Sequence, residues 1–230
     1  MFENIIKNVH NRHPLIHCIT NYVSINDCAN IVLACGGAPI MAEDINEVSQ
    51  ITSICQGLDI NIGMLNDNKL SSMLKAGATA NELGIPVILD PVGAGSSDYR
   101  IKAVQNLMSN VQFGVIRGNV SEIKAIAAKQ GIHNIAVGVY DTMQKDKSAM
   151  GVEAGIADKI TDDNIKEMAD FINKLSQKTG AVIAVTGGID MVADENRVYA
   201  IRNGHKMMSL VTGAGCQLSA LTSAYVAADK

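Results

Sequence analysis

A run of small residues near the end of this 230-residue chain has the composition of an anion site. The run is Thr212-Gly213-Ala214-Gly215-Cys216, and an Ala- and Leu-rich stretch follows it. Glycines before a helix let the backbone approach a ligand, and successive N–H groups with the helix dipole favour an anion. A thiolate is also stabilised in the first turn of a helix, where Cys216 would lie. In isolation, a glycine turn with a small buried thiol is the favoured interpretation, so the neighbouring residue types decide.

Charged and polar residues that suit phosphate and metal follow predicted strands elsewhere in the chain. Asp90 follows an apolar run, and Glu122 lies near a predicted helix start, on the same face as Asn119. Carboxylates in such positions can hold Mg²⁺ directly or through water. Arg117 suits a nucleotide phosphate, and the hydroxyl of Thr186 suits another contact with the nucleotide. Together these residues indicate a phosphate and metal site rather than a hydrophobic pocket.

Each of these residues also has a structural interpretation, which the sequence leaves open. Asp90 precedes a proline and could simply end a strand in an Asp-Pro turn. Asn119 could cap the following helix while Glu122 reaches back to it, which is a capping box. Arg117 could be a surface charge, and Thr186 could be no more than the end of a strand.

The elements that must position these residues follow from the hydrophobic pattern. Short apolar runs alternate with amphipathic stretches, which is typical of a mostly parallel sheet covered by helices. Strands are predicted at 14–19, 38–41, 58–62, 86–89, 113–116 and 181–185. Helices are predicted at 24–35, 44–55, 67–83, 98–109, 120–128 and 162–177. Ligands bind beyond the carboxyl ends of the strands in such sheets, so the candidate residues are expected along one edge.

Three segments depart from this simple alternation. Residues 189–193 and 197–201 predict an antiparallel hairpin at the edge of the sheet. Residues 58–62 alternate polar and apolar side chains, so this strand could also be an edge. Residues 133–160 show no clear period and predict an exposed insertion.

Composition excludes several classes of protein. Hydrophobic residues make up 47% and charged residues 18%, which predicts one domain with a large core. A net charge of −4 disfavours nucleic acid and anionic membranes as partners. No apolar stretch has transmembrane length, and the five cysteines form no C-x-x-C pair, so we expect a protein of the reducing cytoplasm. Gly93-Ala94-Gly95 is an incomplete dinucleotide fingerprint, which disfavours a nicotinamide-dependent dehydrogenase.

Seven motifs, in this order, resemble the hydroxyethylthiazole kinase family of the ribokinase-like superfamily. They are His-Cys-Ile-Thr-Asn-Tyr-Val (17–23), Gly-Ala-Pro-Ile-Met-Ala (37–42), Asn-Ile-Gly (61–63), Leu-Asp-Pro-Val-Gly-Ala (89–94), Ile-Arg-Gly-Asn (116–119) with Glu122, Val-Thr-Gly (185–187) and Val-Thr-Gly-Ala-Gly-Cys (211–216). The last motif is specific, because most ribokinase-like relatives carry Asp where this chain has Cys216. The resemblance runs from the N-terminus to the last helix.

The resemblance implies a fold and an activity. The expected fold is a single-domain ribokinase-like α/β sandwich over residues 1–230. The expected reaction is the ATP- and Mg²⁺-dependent phosphorylation of the primary alcohol of 4-methyl-5-(2-hydroxyethyl)thiazole, in thiamin biosynthesis and salvage. The family also implies a homotrimer whose sites are shared between neighbouring subunits.

The resemblance assigns acceptor-side roles to matching positions. Met41 is expected against the thiazole, with Asn21 and Gly63 nearby, and Gly213 beside the substrate alcohol. The backbone amides of Gly213, Ala214, Gly215 and Cys216 are expected to form the anion hole. Cys216 is expected at the position of the catalytic base.

The nucleotide-side roles are implied in the same way. Arg117, Thr186 and Asn119 are expected to contact ATP. Asp90 and Glu122 are expected to serve the magnesium ion.

The chain departs from the family pattern in two places, and the second departure motivates the alternative of a non-catalytic binding protein. Residues 133–153 are longer than in compact members, and the family's further helices are expected beyond Lys230, where this chain stops. The alternatives are a related kinase acting on hydroxymethylpyrimidine, an ADP-forming dehydratase of the same superfamily, or a binding protein that has lost catalysis.

Overall fold

The computed structural model describes residues 2–132 and 159–229. The predicted insertion at 133–160 therefore lies, except for its last two residues, outside the described residues. The described helices are α1 (Phe2–Arg12), α2 (Ile25–Ala34), α3 (Val48–Ile54), α4 (Asp67–Glu82), α5 (Asp98–Asn110), α6 (Val120–Lys129), α7 (Ile165–Thr179) and α8 (Ala214–Ala228), with a short 3-10 helix at Lys206–Leu210. The described strands are β1 (Leu15–Ile19), β2 (Ala38–Ile40), β3 (Gly57–Asn61), β4 (Val87–Asp90), β5 (Val115–Asn119), β6 (Val182–Thr186), β7 (Asp190–Ala193) and β8 (Val198–Ile201).

The chain folds into two compact units, each built from separate stretches of sequence. The first unit comprises Met1–Asp90, Asn106–Gly114 and Lys206–Lys230. The second unit comprises Pro91–Gln105 and Val115–His205. Within the described ranges, no helix is long and apolar enough to cross a membrane.

Four parallel strands form the centre of the first unit, in the order β2-β1-β3-β4. Helices α1, α2 and α8 pack together as one layer, and α3 and α4 form another. The prediction that 58–62 could be an edge strand is wrong, because β3 lies between β1 and β4 and all five of its residues are buried. Its alternating pattern arises because Asp59 and Asn61 are polar residues buried inside the unit rather than residues that face water.

Helix α8 lies directly against the strands of the first unit, and its small side chains permit this. It packs on β1, β3 and β4. Its buried positions include Ser219, Ala220, Ser223, Ala224 and Ala227. A Cβ at Gly57 in β3 would come within 3.2 Å of the Cβ of Ala227, so backbone and helix are in close contact. The helix predicted after Cys216 is therefore present, and it packs in the core.

The sequence pattern did not predict α1. Asn4, Asn8 and Asn11 lie within it, and asparagine is a weak helix former. Packing compensates for this low propensity, since Val9 is fully buried and α1 packs against α8.

The second unit contains β5-β6-β7-β8 in that order. Strands β5 and β6 are parallel, while β6, β7 and β8 pair antiparallel. The predicted edge hairpin is confirmed, and Asp194 closes its turn by accepting hydrogen bonds from the backbone N–H of Asn196 at 2.8 Å and of Arg197 at 2.7 Å. Helices α6 and α7 cover these strands. The predicted class, α/β with mostly parallel strands flanked by helices, is confirmed.

Candidate active site

The carboxyl ends of three strands bring polar side chains together in the first unit. Asn21 follows β1, Asn61 ends β3 and Asp90 ends β4. The Nδ2 group of Asn21 donates to Asn61 Oδ1 at 3.1 Å and to Cys216 Sγ at 3.2 Å. Asn61 Nδ2 in turn donates to Asp90 Oδ2 at 2.7 Å. A buried series of hydrogen bonds therefore connects Asp90, Asn61, Asn21 and Cys216, which we call the acceptor-side network.

Cys216 does not have the stabilised thiolate that its position in the first turn of a helix predicts. Burial and the negative charge of Asp90 raise the pKa of Cys216, and hydrogen bonds from Ser24, Asn21 and Asn61 offset only part of this rise. The prediction of a stabilised thiolate is wrong because burial and a neighbouring carboxylate both disfavour the charged form. Cys216 is therefore a thiol at neutral pH.

Gly213 determines how α8 begins. It is the N-cap residue of the helix, with φ 74° in the left-handed region. A Cβ at this position would come within 2.7 Å of the Cβ of Ser24, so the start of the helix lies against the segment that carries Asn21. Asn21 Oδ1 accepts hydrogen bonds from both the backbone N–H and the hydroxyl of Ser24 at 3.1 Å. Gly213 thus brings the first amides of α8 close to the acceptor-side network.

Met41 and Gly63, the predicted substrate contacts, lie in two adjoining parts of the first unit. Met41 borders a cavity of about 240 Å³ whose lining is Cys18, Thr20, Tyr22, Ile25, Met41, Ala42 and Glu43. The backbone N–H of Gly63 donates to Asn61 Oδ1 at 2.8 Å. A Cβ at Gly63 would lie 2.9 Å from both Asn21 Nδ2 and Asn61 Oδ1, so only glycine lets the network pack this closely.

Arg117 and Thr186 meet in the second unit. They lie on the neighbouring parallel strands β5 and β6. Arg117 donates from its guanidinium to Thr186 Oγ1 at 2.8 Å, and only 8% of the arginine is exposed. Arg117 and Thr186 lie within strands, because β5 and β6 extend beyond their predicted ends at residues 116 and 185. Strand β4 likewise extends beyond its predicted end at residue 89.

Glu122 closes the capping box that the sequence leaves open. Asn119 Oδ1 accepts from the backbone N–H of Glu122 at 2.9 Å, and Glu122 Oε2 accepts from the backbone N–H of Asn119 at 2.8 Å. Glu122 Oε1 also accepts from the backbone N–H of Gly93 at 2.8 Å. The carboxylate therefore has a structural role, since it joins the 91–95 loop to the start of α6.

Asp90 and Glu122 have the donor chemistry that Mg²⁺ prefers. Within residues 2–132 and 159–229, no three or more His, Cys, Asp or Glu side chains form a cluster that could hold a metal alone. A Mg²⁺ ion needs no such cluster, because it is usually held by one or two carboxylates together with substrate phosphates and water. Asp90 and Glu122 are both buried, and each supplies one carboxylate.

The model of the hydroxyethylthiazole kinase family matches residues 6–230 of this chain. The chain belongs to this family. It is 52% identical over 229 residues to the hydroxyethylthiazole kinase of Clostridium acetobutylicum, covering 100% of this chain and 78% of that enzyme. The structure of a hydroxyethylthiazole kinase protein from Pyrococcus horikoshii OT3 has a TM-score of 0.81 and 33% identity, covering 97% of this chain and 75% of that one.

A more distant structure shares the fold. A ribokinase-like superfamily protein from Enterococcus faecalis V583 has a TM-score of 0.59 with 10% identity, covering 97% of this chain and 73% of that one. The predicted ribokinase-like fold is thus confirmed. Membership of the hydroxyethylthiazole kinase family confirms that the chain is a kinase, with ATP as co-substrate and a small molecule as acceptor.

Sequence reasoning missed two residues of the buried network in the first unit. Asn61 connects Asn21 to Asp90, and Ser24 holds Asn21. The available signal is the pair of polar residues in the otherwise apolar run 58–62, whose alternation instead suggests an edge strand. Polar side chains at the carboxyl end of a buried strand are better interpreted as parts of a site.

Proposed function

We propose that this chain transfers the γ-phosphoryl group of ATP to the primary alcohol of 4-methyl-5-(2-hydroxyethyl)thiazole, in thiamin biosynthesis and salvage. The acceptor-side network beside the Met41 cavity is the observation that carries the proposal. It joins a thiol, two amides and a carboxylate, all buried, to the glycine-started helix α8. A hydroxyl held there would lie among groups that can orient it and accept its proton.

The first unit is proposed to hold the acceptor. Met41 would pack on the thiazole ring, while Asn21 and Gly63 shape the adjoining wall. Gly213 would border the alcohol. The first N–H groups of a helix have no acceptor inside it, so the amides of Gly213, Ala214, Gly215 and Cys216 would stabilise charge on the transferred phosphoryl group.

The second unit is proposed to hold ATP. Arg117, which is bonded to Thr186, offers guanidinium donors suited to phosphate. Thr186 and Asn119 would complete the nucleotide contacts. Asp90 and Glu122 are the carboxylates we propose for Mg²⁺, which when bound would neutralise charge on the ATP phosphates.

Cys216 is proposed to orient the hydroxyl and to take its proton. In the reaction, the bond from the γ-phosphorus to the bridging oxygen of ADP breaks, and a bond to the alcohol oxygen forms. The transition state of phosphoryl transfer is loose, so positioning and charge neutralisation carry most of the rate and the base contributes less. Only the thiolate form of Cys216 can accept that proton, and because its pKa is raised this form is the minor one at neutral pH.

The same proposal includes a homotrimer. Large apolar side chains on both sides of the Gly213–Ser24 contact are exposed, which a subunit interface would cover. They are Tyr22, Val23, Met207, Met208, Leu210 and Val211. We further propose that residues 1–230 act as one kinase domain in the cytoplasm, and the five free thiols support a reducing compartment.

The proposed function is tested by measuring ADP release with ATP, Mg²⁺ and the thiazole alcohol. Hydroxymethylpyrimidine serves as the comparison acceptor. Release of ADP with the thiazole alcohol and not with the pyrimidine is expected. Binding of the thiazole alcohol without ADP release would instead favour a non-catalytic binding protein, and a preference for the pyrimidine would favour a related kinase.

Replacing Glu122 by Ala should affect both stability and activity. It removes half of the capping box and the tie to Gly93, which should lower the free energy of unfolding by about 2 to 4 kcal/mol. It also removes a charge proposed for Mg²⁺, so ADP release should fall by about a hundredfold. Urea denaturation and ADP release would measure the two effects.

Glu167→Ala is the matched control for Glu122→Ala. Glu167 also lies in the first turn of a helix, α7, but it is exposed. This variant should keep the parent's stability to within about 0.5 kcal/mol and its activity. Equal losses in both variants would contradict the role assigned to Glu122.

Replacing Cys216 should reveal its protonation through the pH dependence of kcat. Because its pKa is raised, the thiol is protonated at neutral pH, and the parent kcat should rise as the pH increases above 7. Cys216→Ala should lower kcat by roughly ten- to a hundredfold, without weakening ATP binding, and should lose this rise. Cys216→Asp should keep or exceed the parent kcat, because a carboxyl with a reference pKa of about 3.9 is ionised at pH 7 even if its pKa is raised by Asp90.

Cys35→Ala is the control for removing a thiol. Cys35 caps the C-terminal end of α2, whereas Ser24, which lies beside Gly213, caps its N-terminal end. It should retain the parent pH profile. If Cys216→Ala turns over the thiazole alcohol at the parent rate, the assignment of Cys216 as the base is wrong.

A further inference from the structure

Lys69 is buried beside the Met41 cavity, although lysine side chains ordinarily reach solvent. It lies in the first turn of α4, where Asn66 caps the helix by accepting from the backbone N–H of Lys69 at 2.9 Å. Only 4% of its side chain is exposed. A buried ammonium is costly unless it is paired and hydrogen-bonded, so the partners of this group show what it holds in place.

The ammonium of Lys69 contacts two segments that lie far apart in the sequence. It donates to the backbone carbonyl of Thr20, just after β1. It forms an ion pair with Glu43 at 2.7 Å, three residues after β2. It also lies 4.7 Å from the centre of the Tyr22 ring, in a cation–π contact. These contacts account for the charge of the buried lysine.

Tyr22 and Glu43 close this arrangement on its outer side. The hydroxyl of Tyr22 donates to Glu43 Oε1. Burial acts to raise the pKa of Glu43, but hydrogen bonds from Lys69 and Tyr22 outweigh it, so the pKa of this carboxyl is lowered and it stays ionised. We call Tyr22, Glu43 and Lys69 the lysine clasp.

The clasp joins the segments that carry two of the proposed acceptor contacts. Asn21, which donates to Cys216, lies between the two clasp contacts at Thr20 and Tyr22. Met41 lies two residues before Glu43. Tyr22 and Glu43 line the same cavity as Met41.

A second buried contact fixes the Met41 segment from the other side. His17 is fully buried, and burial lowers its pKa despite a hydrogen bond to the backbone, so its imidazole is neutral. Its Nε2–H donates to the carbonyl of Ala42 at 2.8 Å, since a carbonyl can only accept. Position 42 is thus held by His17 and position 43 by Lys69, which leaves Met41 little freedom.

We propose that Lys69 is a positioning residue for the acceptor pocket, because its ammonium ties the Asn21 segment to the Met41 segment. Lys69 acts through these residues and does not touch the acceptor. The expected change in KM rests on the proposed function. The link between the two segments can be measured without any substrate.

Kinetics with three variants test the proposal. Lys69→Met should raise KM for the thiazole alcohol by roughly ten- to a hundredfold, because a small displacement of the binding groups is enough, and leave KM for ATP near the parent value. Glu43→Gln, at a position that is 39% exposed, should fold normally and raise the same KM in the same direction. Lys69→Arg keeps the charge and should recover most of the loss.

Hydrogen–deuterium exchange on the same proteins measures directly whether Lys69 holds the Asn21 and Met41 segments together. Peptides covering 19–25 and 41–46 should exchange faster in Lys69→Met and Glu43→Gln than in the parent. Lys75→Met is the matched control, because Lys75 lies on the same helix and donates to the carbonyl of Ile45 at 2.9 Å, but is exposed. It should leave KM for the alcohol and the exchange of residues 19–25 unchanged.

The outcomes separate this proposal from the proposed function. Parent-like exchange in both Lys69→Met and Glu43→Gln overturns the positioning role, and so does a raised KM with unchanged exchange, since Lys69 would then act on the substrate itself. If the parent releases no ADP with any alcohol, the proposed function fails, and the exchange comparison alone decides whether Lys69 makes the tie. If Lys69→Met does not fold, Glu43→Gln carries the test.

Discussion

Asp90→Asn is expected to lower kcat for the thiazole alcohol by about a hundredfold to a thousandfold. The substitution keeps the shape of the side chain, and its amide oxygen can still accept from Asn61. It removes the negative charge that we propose for Mg²⁺. Because the loss is one of charge and not of geometry, the free energy of unfolding should change far less than kcat.

The same substitution should lower the pKa of Cys216. The charge of Asp90 is the second cause, after burial, of the raised pKa of this thiol, so its removal makes the thiolate easier to form. Alkylation of Cys216 should therefore begin at a lower pH in Asp90→Asn than in the parent. Mass spectrometry of the Cys216 peptide follows this thiol separately from the other four cysteines.

Asp59→Asn is the matched control for Asp90→Asn. Asp59 is also a fully buried strand carboxylate, but its charge raises the pKa values of Cys18 and Cys28 instead. Alkylation of Cys216 should keep the parent pH dependence in this variant. If both substitutions shift Cys216 equally, or if Asp90→Asn retains full kcat, the role given to Asp90 is wrong.

Gly213→Ala should produce the second large effect. A side chain at φ 74° is strained, and the added Cβ would come within 2.7 Å of the Cβ of Ser24. The start of α8 must then move away from Asn21. This movement also displaces the proposed anion hole and Cys216, which lie at the start of the helix. We expect the free energy of unfolding to fall by about 2 to 4 kcal/mol and kcat/KM to fall by about a hundredfold.

Gly84→Ala separates strain from displacement. Gly84 has φ 66°, but a Cβ there meets nothing within 4 Å. It should lose only about 1 kcal/mol of stability and keep its kcat/KM. Chemical denaturation and ADP release would make the comparison, and similar kcat/KM values for the two variants would show that the contact with Ser24 does not matter for catalysis.

The local pattern of the sequence predicted most elements of the described chain. Hydrophobic periodicity depends on near neighbours, so the strands that end at Asp90 and Thr186 and the hairpin after Thr186 were found with shifts of only a few residues. Helix α1 was missed because its stability comes from packing on α8 and not from propensity.

The properties that depend on surroundings were predicted less well. The strand that contains Asn61 has the pattern of a solvent-facing edge, yet its neighbours bury it on both sides. Cys216 lies at a helix start that favours a thiolate, yet burial and Asp90 raise its pKa. Both errors have the same cause. How far a residue is removed from water depends on the elements that pack around it, which a local sequence pattern does not contain.

The sequence by itself determined the succession of strands and helices after α1, the helix that starts at Gly213 and the motifs that give family membership, because each of these lies within a short stretch of chain. Only the tertiary structure decided which side chains meet. Asn21 and Cys216 are 195 positions apart, and Lys69 is 49 positions from Thr20. Such pairs are made by parallel strands that return each carboxyl end to the same place, and no local pattern of residues encodes them.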